Sequence, residues 1–224
     1  MRLFGTKIYI ASAKELENEE QFIRLYQTVS KERQQKIDRL RFSKDKRLSL
    51  AAELLLKKAL KEIGINEYRI EYGENGKPYL KDISEVYFNL SHSEERVMCV
   101  ISEKEVGCDV EKIRDTDFRI AGHFLTDEEQ AFLEQANNLE EKTNLLFRLW
   151  ALKESFLKAT GMGMKLSMKD FMFQFVDNQV YVCQTVNGEQ YFFEEYDFQD
   201  GYRYAVCSLC PDSKDWEKKF VEIC

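Results

Sequence analysis

The stretch Phe147–Gly161, FRLWALKESFLKATG, reads as one helix with a conflict inside it. Leu145, Leu146, Phe147, Leu149, Trp150, Leu152, Phe156 and Leu157 make it apolar around most of its circumference. A helix of that kind is largely buried, and Gly161 supplies its stop. Yet it carries Lys153, Glu154 and Lys158. Glu154 and Lys158 stand four residues apart, on one side of the helix. On a solvated face such a pair contributes only about 0.2–0.5 kcal/mol. On a buried helix the acid needs a strong partner.

A partner lies upstream in Val106–Ile113, VGCDVEKI. Read as a strand, this segment points Asp109 and Glu111 to one face and Val106, Cys108 and Val110 to the other, the core side. Two neighbouring carboxylates repel, and settle only with water, a cation or a proton between them. For the pair alone, a solvated polar face is a sufficient reading. A cation shared by Asp109, Glu111 and Glu154 would satisfy all three acids. With only two histidines and no thiolate site, hard oxygen ligands point to Mg²⁺ first. Protein-bound Mg²⁺ commonly takes substrate phosphate oxygens as well.

Phosphate has a second pointer. Residues 31–61 hold eleven Lys and Arg against four acids, in a chain of net charge −7. The segment is either a solvated helix face or a site for a phosphorylated ligand. Nucleic acid is a poor fit, because the basic stretch is local and the chain as a whole is acidic.

The 224 residues, 44% hydrophobic, suffice for a sizeable core in one domain or two small ones. Ten glycines and two prolines leave no low-complexity linker. No apolar run is long enough to span a membrane, and the N-terminus reads as a first strand rather than a signal peptide. The six cysteines read as reduced core residues of a cytoplasmic protein, and Cys207-x-x-Cys210 has no second pair that would make a zinc site. DKRLSLAAELLLKKALKEIG (45–64) reads as a helix, residues 15–40 as helical with Ser30 as a break or cap, and Thr126 with Glu129 as a capping box. ENGKPYL is a turn; EYRIEYG, EVYFNLS, RVMCVIS and EVGCDVEKI read as strands, as do DFMFQFVD, QVYVCQTV, QYFFEEYDF and YRYAVCSL. Each half therefore runs helix, glycine turn, several strands. The expected fold class is α+β: two pseudo-symmetric lobes, each a small antiparallel sheet packed with helices, divided as 1–103 and 104–224.

Four motifs in order resemble one family, the 4'-phosphopantetheinyl transferases of the surfactin-synthetase-activating type. They are Gly76-Lys77-Pro78, Phe88-Asn89-Leu90-Ser91-His92-Ser93, Gly107-Cys108-Asp109-Val110-Glu111 and Trp150-Ala151-Leu152-Lys153-Glu154-Ser155-Phe156-Leu157-Lys158. The resemblance implies a reaction in which a carrier-protein serine attacks the β-phosphorus of coenzyme A, phosphopantetheine moves to the serine, and adenosine 3',5'-bisphosphate leaves. It implies coenzyme A in a cleft between the lobes, with nucleotide and phosphate contacts in 1–103 and metal ligands and carrier contacts in 104–224. It implies Asp109, Glu111 and Glu154 as Mg²⁺ ligands, Glu154 also as general base, directly or through water, and Lys158 as a catalytic lysine on the phosphates. It implies Lys77, Pro78, Ser91 and His92 as coenzyme A contacts, His92 as phosphate donor rather than base, with Arg33, Lys36, Arg47 and Lys153 as further candidates. Arg47 departs from the family pattern: its arginine stands one place early, ahead of Leu48-Ser49. His123 matches no motif and reads as structural. The methionine-rich GMGMKLSMKDF (161–171), with Lys165 and Lys169, is expected to meet the carrier, an acyl or peptidyl carrier protein, and the chain is expected to act as a monomer. Two other classes compete. A serine hydrolase using Ser91 or Ser93 lacks the Gly-x-Ser-x-Gly elbow. A non-catalytic coenzyme A- or nucleotide-binding module would hold a structural cation in the acidic cluster.

Overall fold

The computed structural model describes residues 4–177, 179–211 and 216–223. The described chain runs β1 (Lys7–Ser12), α1 (Glu19–Tyr26), α2 (Lys31–Asp38), α3 (Ser43–Glu62), β2 (Ile70–Tyr72), β3 (Pro78–Leu80), β4 (Tyr87–Ser93), β5 (Arg96–Ser102) and β6 (Val106–Lys112). It continues with α4 (Ala121–Phe124), α5 (Asp127–Leu133), α6 (Leu139–Thr160), β7 (Phe171–Val176), β8 (Gln179–Gln184), β9 (Phe192–Tyr196), β10 (Tyr202–Ser208) and β11 (Glu217–Phe220). Ser30 caps α2, accepting from the Arg33 N–H. Both arms of the Thr126–Glu129 capping box are present on α5. Gly161 ends α6 at φ +67°, a conformation that favours glycine.

Two sheets carry the fold. One is ordered β11-β1-β5-β4, the other β6-β10-β9, and β2-β3 and β7-β8 form two small hairpins. The α+β class and the small antiparallel sheets match the expectation, with one addition. β11 joins β1 in parallel, so the end of the chain returns to the first sheet. Its segment, EKKF, is mostly exposed and lacks the apolar alternation that marks a strand.

Three cores stack in layers. Tyr9, Cys99 and Ile101 on one face of the first sheet pack against Leu55, Leu56 and Ala59 of α3. Its other face, with Ile8, Ile10, Met98 and Val100, meets Val106, Cys108, Val110 and Val206 of the second sheet. Ala205 and Cys207 on the far side of that sheet lie under Leu149, Leu152 and Phe156 of α6. Cys99, Cys108 and Cys207 are free and buried; Cys183, expected inside, is exposed, and Cys210 is half-buried. Cys183 follows from alternation, since β8 buries neither face fully. Cys224 lies outside the described residues.

The second sheet and α6 approach closely because position 107 is glycine. A Cβ there would stand 2.1 Å from the Ser155 carbonyl oxygen and 2.3 Å from the Ala159 nitrogen. The same strand face then runs under α6 with Asp109 and Glu111. Farther along, Lys153 anchors the helix to the loop and hairpin beyond it. Its ammonium is fully buried, pairs with Glu129 at 2.8 Å, and donates to the carbonyls of Met168 (2.7 Å) and Phe171 (2.9 Å). Glu129 in turn accepts from the backbone N–H groups of Thr126 and Phe173.

Two stability outcomes follow. Gly107→Ala forces α6 off its strand and lowers unfolding free energy by about 3 kcal/mol in urea titration. Lys153→Met leaves Glu129 charged and unpaired in the interior, at a cost of about 3–5 kcal/mol. Adding Glu129→Leu to Lys153→Met recovers part of that loss in a double-mutant cycle.

Candidate functional site

The first element of the site is β4. Its alternation sends Phe88 and Leu90 toward the α3 core and Asn89, Ser91 and Ser93 toward β6. β4 and β6 are the facing edges of different sheets. Side chains replace the backbone ladder between them. Asn89 Oδ1 accepts from the Cys108 N–H at 3.0 Å, Ser91 Oγ from the Val110 N–H at 3.3 Å, and Ser93 Oγ from the Lys112 N–H at 3.1 Å. Each serine also donates across the seam, Ser91 to Asp109 Oδ1 at 2.8 Å and Ser93 to Glu111 Oε2 at 2.9 Å. Thus the seam that joins the sheets also orients both strand carboxylates.

α6 supplies the other half. Lys158 Nζ donates to Asp109 Oδ1 at 2.6 Å and to Ser91 Oγ at 3.1 Å. Asp109 is 2% exposed, and its second oxygen, Oδ2, is buried with no partner. Burial pushes the Asp109 carboxyl above its ordinary pKa, against the pull of Lys158 and Ser91. Burial, then the Asp109 charge, raises Glu111. Burial raises Glu154 too, with Lys158 opposing and Asp109 adding. Burial depresses Lys158, but Asp109 and the other acidic neighbours outweigh it, and its pKa ends above the ordinary lysine value. The four groups form one strained electrostatic unit: three carboxylates short of positive charge around one ammonium.

A cleft of about 570 Å³ opens beside this unit. Lys77 and Pro78 from the β2–β3 turn, Leu90 from β4, and Glu154 and Lys158 from α6 line it, with Met164 and Leu166 on the loop after α6. Met164 is fully exposed. Lys77 bridges the two halves: its ammonium pairs with Glu105 and donates to the Ala159 carbonyl at 3.0 Å, satisfying an end of α6. Asn75 does the same for the Gly161 carbonyl at 3.0 Å.

Other expected residues lie apart from that lining. Lys153 is turned away from the cleft; its three buried acceptors leave it no donor for a ligand, which corrects the expectation of a coenzyme A contact. Arg33 forms an ion pair with Glu53 at 2.6 Å, and Glu53 also accepts from the Tyr68 hydroxyl. Lys36 sits over the Tyr72 ring, 4.2 Å from its centre. Arg47 lies 3.7 Å from Glu17. His92, on the α3 side of β4, is exposed; desolvation and then the Lys158 ammonium hold its pKa below the ordinary imidazole value. Asn89 and Ser93 were not among the expected site residues. Their spacing with Ser91 at every second position was the available signal.

Among the described residues, no group of three or more His, Cys, Asp or Glu side chains is gathered as a ready metal site. The donor chemistry nonetheless suits a hard divalent ion: the unpartnered Asp109 Oδ2 and the two raised carboxyls of Glu111 and Glu154 are all oxygen donors.

Comparison with known proteins converges on one family. Residues 105–207 match the model described as the 4'-phosphopantetheinyl transferase superfamily, and residues 17–105 match that of the 4'-phosphopantetheinyl transferase N-terminal region. A 4'-phosphopantetheinyl transferase of Bacillus subtilis is 32% identical over 86% of this chain and 87% of its own. The gsp 4'-phosphopantetheinyl transferase of Aneurinibacillus migulanus is 35% identical over 83% and 78%. The Sfp 4'-phosphopantetheinyl transferase of Bacillus subtilis strain 168 is 28% identical over 95% and 94%. The chain belongs to the 4'-phosphopantetheinyl transferase superfamily and is an enzyme of that family.

Proposed function

We propose that this enzyme transfers the 4'-phosphopantetheine group of coenzyme A to a serine of an acyl or peptidyl carrier protein, with Mg²⁺, releasing adenosine 3',5'-bisphosphate. The observation that carries this reading is the joint placement of Glu154 and Lys158 on the cleft wall, with Lys158 tied to Asp109 and Ser91 behind it. Asp109, Glu111 and Glu154 are the residues that would hold the ion. When bound, it would offset charge on the transferred phosphoryl and the leaving group.

The remaining work falls to the chain's own groups. Glu154 accepts the proton of the carrier serine hydroxyl, directly or through water. The serine oxygen forms a bond to the phosphorus of the pantetheine phosphate as the bond to the bisphosphate-bearing oxygen breaks. Lys158 remains cationic and stabilises the charge that builds on that leaving oxygen. Lys77 and Pro78 border the nucleotide end and His92 offers a donor to phosphate, whereas Ser91 serves as a phosphate contact only by exchanging its present bond to Asp109. Arg33, Lys36 and Arg47 serve as outlying phosphate contacts, which requires each to exchange its present partner.

The exposed Met164 and the loop from Gly161 to Phe171 form the face that meets the carrier, where adaptable methionines suit a varied partner surface. Nucleotide and phosphate contacts fall chiefly in 1–103, and metal ligands and carrier contacts in 104–224. The enzyme works as a monomer in the cytoplasm, a setting compatible with the free buried thiols of Cys99, Cys108 and Cys207. No described helix is long and apolar enough to cross a membrane.

Intact-protein mass spectrometry of a carrier incubated with enzyme, coenzyme A and Mg²⁺ tests the proposal. A mass gain of one phosphopantetheine, abolished by EDTA, is the expected result. Glu154→Gln lowers the rate by about 10²–10⁴-fold while coenzyme A still binds. Binding of coenzyme A with no gain on any of several carriers overturns the transferase reading in favour of a non-catalytic binding module.

A further inference from the structure

Asp109 is served unevenly. Its Oδ1 receives two donors, Ser91 Oγ at 2.8 Å and Lys158 Nζ at 2.6 Å. Its Oδ2, equally buried, receives none. The Ser91 hydroxyl proton is already committed to Oδ1, and its oxygen accepts from the Val110 N–H. Ser93 is committed in the same way to Glu111 and to the Lys112 N–H. Neither serine can turn to cover Oδ2 without opening the seam between the sheets. Lys158 is the one cation in contact with Asp109 among the described residues. Unlike the serines, it has freedom to move: its side chain is 28% exposed and already lines the cleft.

We propose that Lys158 is the built-in counter-ion of the acidic site. With no metal bound it holds Asp109 by one oxygen and keeps three mutually repelling carboxylates tolerable. With a divalent cation held by Asp109, Glu111 and Glu154, the Lys158 ammonium would release Asp109 and turn into the cleft that its side chain already lines. This rests on the metal-ligand assignment made above for Asp109, Glu111 and Glu154.

Lys158 and the metal compete for Asp109. Two cations beside one carboxylate repel each other, so Lys158 opposes metal binding in the free enzyme while stabilising the metal-free fold. A lysine with only a structural role would stabilise the fold without affecting metal affinity. A lysine acting only on substrate phosphate would do neither.

The test uses the full chain with Mg²⁺ alone, without coenzyme A, read by thermal denaturation and by calorimetric titration. Lys158→Met should melt below wild type when metal-free, recover with Mg²⁺, and bind Mg²⁺ about tenfold tighter than wild type. Lys158→Arg, which keeps the charge, should retain wild-type Mg²⁺ affinity. Unchanged or weaker Mg²⁺ binding in Lys158→Met overturns the proposal, as does the absence of Mg²⁺ binding in both proteins. If Lys158→Met does not fold, wild-type enzyme labelled with ¹³C-lysine decides. The Lys158 Cε resonance should move during Mg²⁺ titration, and a stationary resonance contradicts the displacement. None of these readouts is turnover. An enzyme that modifies its carrier but fails here loses only the counter-ion role, whereas absent transfer with these results intact refutes the functional reading.

Discussion

Everything at this site depends on how two sheet edges meet without a backbone ladder. Edge strands carry unpaired N–H groups that must be satisfied when buried. Here Asn89, Ser91 and Ser93 satisfy three of them on β6 with side-chain oxygens. Side-chain oxygens take the part that backbone carbonyls play in a regular ladder. They also add a function that backbone carbonyls lack. A hydroxyl can accept from one group and donate to another, so Ser91 and Ser93 donate hydrogen bonds to Asp109 and Glu111. The same atoms thereby fix the relation of the two sheets and the direction of two acids.

α6 completes the arrangement through one missing side chain. With glycine at 107, the helix backbone lies against β6, and a lysine in its last turn, Lys158, can reach an aspartate on the strand below. The acids are then crowded and poorly solvated, which raises all three pKa values. Such strain is costly to a fold and is commonly kept where charge is used. The buried Lys153–Glu129 pair works at a different face of the same helix. It fixes α6 to the α5 cap and to β7, so that Glu154, the next residue, is held on a helix that cannot rotate freely.

Much of this was legible in the sequence. The period of two in β6 placed Asp109 and Glu111 on one face, and the apolar circumference of α6 made Glu154 and Lys158 conspicuous. Caps at Ser30 and Thr126 and the stop at Gly161 are local chemistry, read from a few adjacent residues. What was not legible depends on distant partners. Lys153 and Glu154 are neighbours in the chain but point about 100° apart on the helix, and nothing local tells which faces a cleft and which a buried acid 24 positions away. Ser93 falls beyond the expected strand EVYFNLS, because its acceptor and donor lie on another strand. β11 carries no apolar pattern, being an edge strand defined by the register of β1 rather than by its own residues. Arg33, Lys36 and Arg47 read as a phosphate-seeking group, but each has acquired a partner that only the fold could supply.

The seam itself can be measured directly by hydrogen–deuterium exchange at single-amide resolution on the free enzyme. The amides of Cys108, Val110 and Lys112 should be protected to the level of residues inside a regular ladder, with Ser91→Ala exposing Val110 first. Exchange of these three at the rate of an open strand edge in the wild-type protein would contradict the account, because the sheets would then meet without the bonds that aim the carboxylates.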